Sequence, residues 1–263
     1  DFLLRTRNEL HLQTKRLADD IPKALQPKIA WQLGYKDRSP ARRLEAFMRD
    51  LYTHMRAIHL ITRMVERRLA LRPKPARRLP SLRSFFGGGK KTETLDGFNI
   101  IDGELVPISP RIFRDQPKRL MRVFLHAQQR GLEIHPDLTQ LLRDNVSLVD
   151  DDFVHDTENH ETFLEILNQR GNVAPVLRAM HEVDLLGRYI PEFGRMTCLV
   201  QHEFFHAYAA DEHTLVCLEK LDQVWDAAQP PFAHYTHILQ DIDLPYLLYL
   251  ALFLHDAGKG MES

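Results

Sequence analysis

Between Arg42 and Leu71, apolar side chains recur at three- and four-residue intervals: Leu44, Phe47, Met48, Leu51, Met55, Ile58 and Ile61, with Arg and Glu between them. A strand alternates its faces every second residue, so this spacing describes one stripe along an amphipathic helix, with room for one break. Ser39-Pro40 supplies a start signal. Asp1 to Ala18 and Lys23 to Leu33 read as shorter helices, the second stopped by Gly34. Pro117 opens a helix that Gly131 closes, and Pro136 opens the next. Further helices are expected over Glu158 to Leu167, Val173 to Leu186, Glu212 to Trp225 and Leu244 to Ala257. No fixed-period repeat and no heptad run interrupts the pattern.

One short segment departs from it. Phe98-Asn99-Ile100-Ile101 and Glu104-Leu105-Val106-Pro107-Ile108 flank Asp102-Gly103, a pair suited to a tight two-residue turn. This hairpin is the only clear β structure. The fold class is therefore mainly α, a helical bundle with one small β-hairpin. Arg72 to Thr94 carries Pro73, Pro75, Pro80 and Gly87-Gly88-Gly89 among basic residues. It reads as a flexible linker or loop, with a basic surface facing a nucleotide or an acidic partner as the second reading. The expected division is residues 1–71, a helical region; 72–94, the linker; 95–195, hairpin plus helices; and 196–263, a last helical unit.

The bulk numbers remove several functions. A net charge of -1 gives no global field toward DNA or a membrane surface. Leu244 to Leu254 is the greasiest stretch, but it falls far short of the roughly 20 residues that a membrane span needs. It is a core helix by this reading. Cys198 and Cys217 make no disulfide framework and suit small buried side chains in a reduced, cytoplasmic compartment. No secretory signal is visible. The chain opens mid-element without Met, as expected of a piece of something longer at both ends. Gly87-Gly88-Gly89-Lys90-Lys91-Thr92 is not a Walker loop, because Ser84 stands where that motif needs a glycine.

The chemistry concentrates late in the chain. His255-Asp256 follows the apolar run Leu250-Ala251-Leu252-Phe253-Leu254 and precedes Ala257-Gly258-Lys259-Gly260. An imidazole beside a carboxylate at the end of a buried helix offers two metal donors at the edge of the core. Asp211-Glu212-His213-Thr214 places a third near the start of another helix, where the acidic pair also complements the helix dipole. If the front of one helix meets the back of the other, His213, His255 and Asp256 converge on one cation. Such N,N,O donors suit Mn, Fe, Zn, Ni or, less well, Mg. Lys259 has two readings, a cation favoured at any helix end and a partner for a phosphate oxygen. His206, seven residues before His213, is a further candidate for the pocket, and His202 a weaker one. The remaining histidines, His181 among them, default to structure or surface.

These residues resemble the opening of the HD phosphohydrolase signature. More specifically, the chain resembles the bacterial PII uridylyltransferase/uridylyl-removing enzymes. The likeness is carried by Arg7-Asn8-Glu9-Leu10-His11-Leu12, Gln26 to Tyr35 and Glu45 to Tyr52. It continues through Gly131-Leu132-Glu133-Ile134-His135-Pro136, Leu186 to Gly194, His206-Ala207-Tyr208, Asp211 to Leu215 and Leu254 to Gly260. The resemblance implies that the helices after a nucleotidyltransferase core lead into the first part of an HD-type helical domain. The transferase's Gly-Ser and paired aspartates are missing, as are the later HD ligands and the regulatory domains.

The implied activity is metal-dependent removal of UMP from uridylylated PII signal protein, by a parent that also works as a UTP-using uridylyltransferase. Divalent metal (Mn, Mg, Fe or Zn) on His213, His255 and Asp256 would be the cofactor. Lys259 would neutralise phosphoryl charge, and His206 would pass a proton to the tyrosyl oxygen. PII and UMP or UTP are the implied partners. Two other functions stand beside this one, an HD hydrolase of a free nucleotide and a non-catalytic helical scaffold. With a ligand missing, weak metal binding and little activity are expected of the chain itself.

Overall fold

The computed structural model describes residues 1–70, 93–200 and 209–260. Residues 72–92 of the linker expected over 72–94, the glycine run within it, and His202 and His206 lie outside the described residues.

Three helices open the chain: α1 (Phe2–Thr14), α2 (Gln26–Gln32) and α3 (Pro40–Ala70). α3 runs unbroken for 31 residues. Leu10, Ile29, Ala30, Leu44, Phe47, Met48 and Leu51 form a small core of their own. Beyond Leu51 the apolar stripe of α3 faces outward, with Met55, Ile58, Ile61, Val65 and Leu69 all exposed. The face turned toward the rest of the protein carries arginines. Arg49 donates to the Arg195 carbonyl (2.8 Å), Arg56 to that of His181 (2.6 Å) and Arg67 to that of Ile134 (2.9 Å), while Arg63 pairs with Glu182. Trp31, on α2, is half-exposed beneath Lys36, whose Nζ lies 3.6 Å from the ring centroid.

The expected hairpin is present, but it belongs to a four-stranded sheet in the order β1 (Glu93–Leu95), β2 (Phe98–Ile101), β3 (Glu104–Pro107) and β4 (Glu133–Ile134). Asp102 and Gly103 both adopt positive φ at 52° and 87°, as the tight turn requires. Asp96-Gly97 makes a second such turn between β1 and β2, at 50° and 84°. β4 joins β3 in parallel through Glu133 N–H to Gly103 O (3.0 Å) and His135 N–H to Leu105 O (3.1 Å). The hairpin reading was therefore too small, and Glu93 and Thr94, expected in the linker, belong to β1.

The main core is helical. It comprises α4 (Ile112–Asp115), α5 (Arg119–Arg130), α6 (Pro136–Asn145), α7 (Asp151–His155), α8 (Thr157–Leu167), α9 (Ala174–Glu182), α10 (Leu185–Tyr189), α11 (Pro191–Arg195), α12 (Ala210–Trp225), α13 (Ala233–Gln240) and α14 (Pro245–Leu254). Gly131 closes α5 in the left-handed conformation, as expected. The Asp156 carboxylate caps α8 by accepting from Glu158 N–H (2.9 Å) and Asn159 N–H (3.2 Å).

Two expected helices are shorter than their apolar runs. Val173 to Leu186 divides into α9 and α10 at Asp184, which sits at φ 64° and pairs with Arg56 from α3. Leu244 to Ala257 ends as α14 at Leu254, and a 3₁₀ turn, Ala257–Gly260, follows. α10 and α11 cross at two glycines so closely that a Cβ on Gly194 would lie 2.4 Å from the Gly187 carbonyl oxygen. Among the described residues no single helix is long and apolar enough to cross a membrane. Tyr249 and Phe253 of α14 are fully buried.

Candidate metal centre

α12 and α14 pack antiparallel, and α12 is fixed at both ends. At one end the Tyr249 hydroxyl donates to Asp222 Oδ1 (2.6 Å) and accepts from Trp225 Nε1 (2.6 Å) and Gly171 N–H (3.2 Å). Asp222 also accepts from the first amides of α9, Val173 (3.0 Å) and Ala174 (2.7 Å). Burial pushes the Asp222 carboxyl above its ordinary range, against the pull of these donors.

Toward the other end a polar seam joins α12 to α9. Arg178 forks onto Glu212 Oε2 (2.9 Å) and Glu219 Oε1 (2.8 Å). Burial opposes the Arg178 charge, but the two carboxylates outweigh it and raise the guanidinium further. His181 Nε2 donates to Asp211 Oδ2 (3.1 Å), with both side chains buried. Burial works against the Asp211 charge as well, yet the His181 contact holds the carboxyl below its usual value. The acidic pair expected to serve the helix dipole is thus committed to specific partners.

The opposite end of this antiparallel pair brings the front of α12 to the back of α14. One donor atom each from His213, His255 and Asp256 lies within 4.8 Å of the others. The two imidazole centroids are 5.7 Å apart. His255 follows the last residue of α14 rather than lying on its final turn, and its Nδ1–H donates to the Leu252 carbonyl (2.6 Å). That bond fixes the tautomer and leaves the Nε2 lone pair for a ligand. Nε2 stands 3.4 Å from Asp256 Oδ2, and Lys259 Nζ lies 2.7 Å from the same oxygen. Burial disfavours the Asp256 charge, but Lys259 and the two imidazoles outweigh it, so the carboxyl sits below its ordinary value. Two imidazoles and an ionised carboxylate at this separation are a donor set that fits a divalent cation.

Cys198 is buried, and Cys217 is half-buried beside the centre, its Sγ 3.7 Å from His213 Nε2. Burial and the nearby Asp256 raise the Cys217 thiol, which keeps it protonated and poorly reactive. Reading the sequence missed His181, Arg178 and Asp222 as supports of the site. Their partners lie about a helix or more away along the chain, and only the acidic Asp211-Glu212 pair signalled that α12 had something to neutralise.

Comparisons with known proteins agree with this architecture. Residues 1–66 match the family model described as GlnD PII-uridylyltransferase, and residues 98–189 match that of the uridylyltransferase GlnD third domain. The bifunctional uridylyltransferase/uridylyl-removing enzyme of Cereibacter sphaeroides is 33% identical over 262 residues, covering 98% of this chain. Those of Ruegeria pomeroyi and Phenylobacterium zucineum are 32% and 34% identical, each over 99% of the chain. The chain spans 28% of the length of each of these relatives. His213, His255 and Asp256 lie beyond the residues that the two family models match but within the stretch shared with the whole relatives. On this evidence the chain belongs to the family of bacterial PII uridylyltransferase/uridylyl-removing enzymes.

Proposed function

We propose that this chain carries the first ligands of a metal-dependent phosphohydrolase centre, and that the protein it serves removes UMP from uridylylated PII signal protein and also transfers uridylyl groups from UTP. The observation that supports it is the convergence of His213, His255 and Asp256 within 4.8 Å. These three residues would hold the divalent cation, Mn, Mg, Fe or Zn. When bound, it supplies Lewis acidity and a water acidic enough to ionise near neutral pH.

The chain's own groups have separate tasks in this reading. The Leu252 carbonyl keeps the His255 ring oriented. Asp256 stays ionised beside Lys259. The Lys259 ammonium neutralises part of the charge on a phosphodiester drawn to the site. His206, outside the described residues, is proposed from sequence to protonate the tyrosyl leaving oxygen. Three protein donors leave a coordination position open for water or substrate, as catalytic sites do. The two free cysteines fit a reducing cytoplasm.

The test is UMP release from uridylylated PII by the longer protein, compared with its His255→Ala and Asp256→Ala variants. Release that the variants lose supports the reading. Turnover of free nucleotides without PII would replace it with a nucleotide hydrolase. Equal metal content in wild type and variants would leave a helical scaffold.

A further inference from the structure

His181 touches one arm of the metal centre and reaches the other through Phe193, without belonging to either. Its Nε2 donates to Asp211, which sits two residues before His213 in the first turn of α12. Its ring meets Phe193 edge to face at 5.3 Å, and Phe193 stacks on Phe253 at 4.8 Å. Phe253 lies two residues before His255, and α11, which carries Phe193, packs against the 3₁₀ turn that holds Lys259. The His181 backbone is held from α3, because Arg56 donates to its carbonyl (2.6 Å). His181 and Asp211 are 6% and 4% exposed, and Phe193 and Phe253 are fully buried.

A salt bridge on the surface would leave α12 free to turn. This contact does not, because breaking it strands a buried donor and a buried carboxylate. The contact therefore holds the first turn of α12, while the same ring packs on Phe193.

We propose that His181 is a positioning residue for the metal centre, acting through Asp211 on His213 and through Phe193 and Phe253 on His255. The proposal rests on the metal-centre reading above. It stands one contact beyond a ligand's own hydrogen-bond partner; loss of such a partner typically weakens metal affinity about 10- to 100-fold, and the lower end of that range is expected here.

The test is a Co(II) titration of the folded protein, following affinity and the visible d–d spectrum, with thermal unfolding in EDTA measured in parallel. His181→Ala is expected to weaken Co(II) affinity by about tenfold and to alter the band shape. His181→Gln, which restores an N–H donor toward Asp211, is expected to recover most of that affinity. A purely structural His181 would lower the EDTA midpoint and leave affinity and spectrum at wild-type values, and that result overturns the proposal. Should His181→Ala fail to fold, Asp211→Leu decides. It keeps about the size of the side chain and removes every acceptor for the His181 N–H, so wild-type affinity and spectrum in that variant overturn the proposal equally. His213→Ala separates the two levels of inference. If wild type takes up Co(II) and His213→Ala does not, the metal reading stands and His181 is judged alone. If wild type takes up none, both fall together.

Discussion

Replacing Gly194 with alanine asks the backbone to do something it cannot do locally. The added Cβ would stand 2.4 Å from the Gly187 carbonyl oxygen and 3.1 Å from its carbon, where ordinary contact begins at 3.4 Å. These are backbone atoms, so no side chain can swing aside. α10 and α11 must separate by about 1 Å, a gap that forfeits a quarter to a half of each dispersion contact across it. Phe193, next to the substitution, would be drawn from its packing on Phe253 and His181.

Overpacking of this kind costs about 3 kcal/mol. For a chain this long, 1 kcal/mol moves the midpoint by roughly 2–4 °C, so Gly194→Ala should melt about 6–12 °C below wild type. Differential scanning calorimetry reads it directly. Gly187→Ala should fall between, since its nearest new neighbour is the Gly194 Cα at 3.0 Å. Gly258→Ala meets nothing within 4 Å and should stay within about 0.5 kcal/mol of wild type. A Gly194→Ala protein that melts with wild type would refute the close-approach argument.

Tyr249→Phe should cost about 2–4 kcal/mol in urea denaturation, because it leaves the Trp225 N–H and an Asp222 oxygen buried without their shared hydroxyl. Asp222 predicts a pH dependence of definite sign. Burial raises its folded carboxyl above the unfolded value near 3.9, so its contribution to stability is whole below that value and is lost as pH rises through the folded one. Urea midpoints of Asp222→Asn relative to wild type, followed upward from about pH 3.5, should lack that loss. Lys259→Ala should slow UMP release by the longer protein about 10²-fold and leave the fold intact, with activity and circular dichroism measured on the same samples.

Apolar stripes that are buried locally placed α8 and α12, Pro136 placed α6, and periodicity placed α3 although its stripe is buried only as far as Leu51. Periodicity failed where a distant group decides. The break falls at Asp184, which pairs with Arg56, 128 residues earlier, and no glycine or proline between Val173 and Leu186 marks that position. β1 was within reach, because Asp96-Gly97 repeats the turn chemistry of Asp102-Gly103. β4 was not, being two residues paired to a strand across two intervening helices. At the candidate site, residue types and helix ends pointed to His213, His255 and Asp256, and the family likeness gave their meaning. The support from His181 could not be read, since its carboxylate partner is 30 residues away and the spacing has no pattern.

The two tryptophans divide the protein into two optical regions. Trp31 is 47% exposed on α2, whereas Trp225 is 3% exposed and stacked on Tyr249 where α12 meets α14. Their emission should separate by wavelength, red from the solvated indole and blue from the enclosed one. In a Trp31→Phe background, the remaining fluorophore would follow loosening of the helix pair that carries the metal ligands while ignoring events around α1–α3.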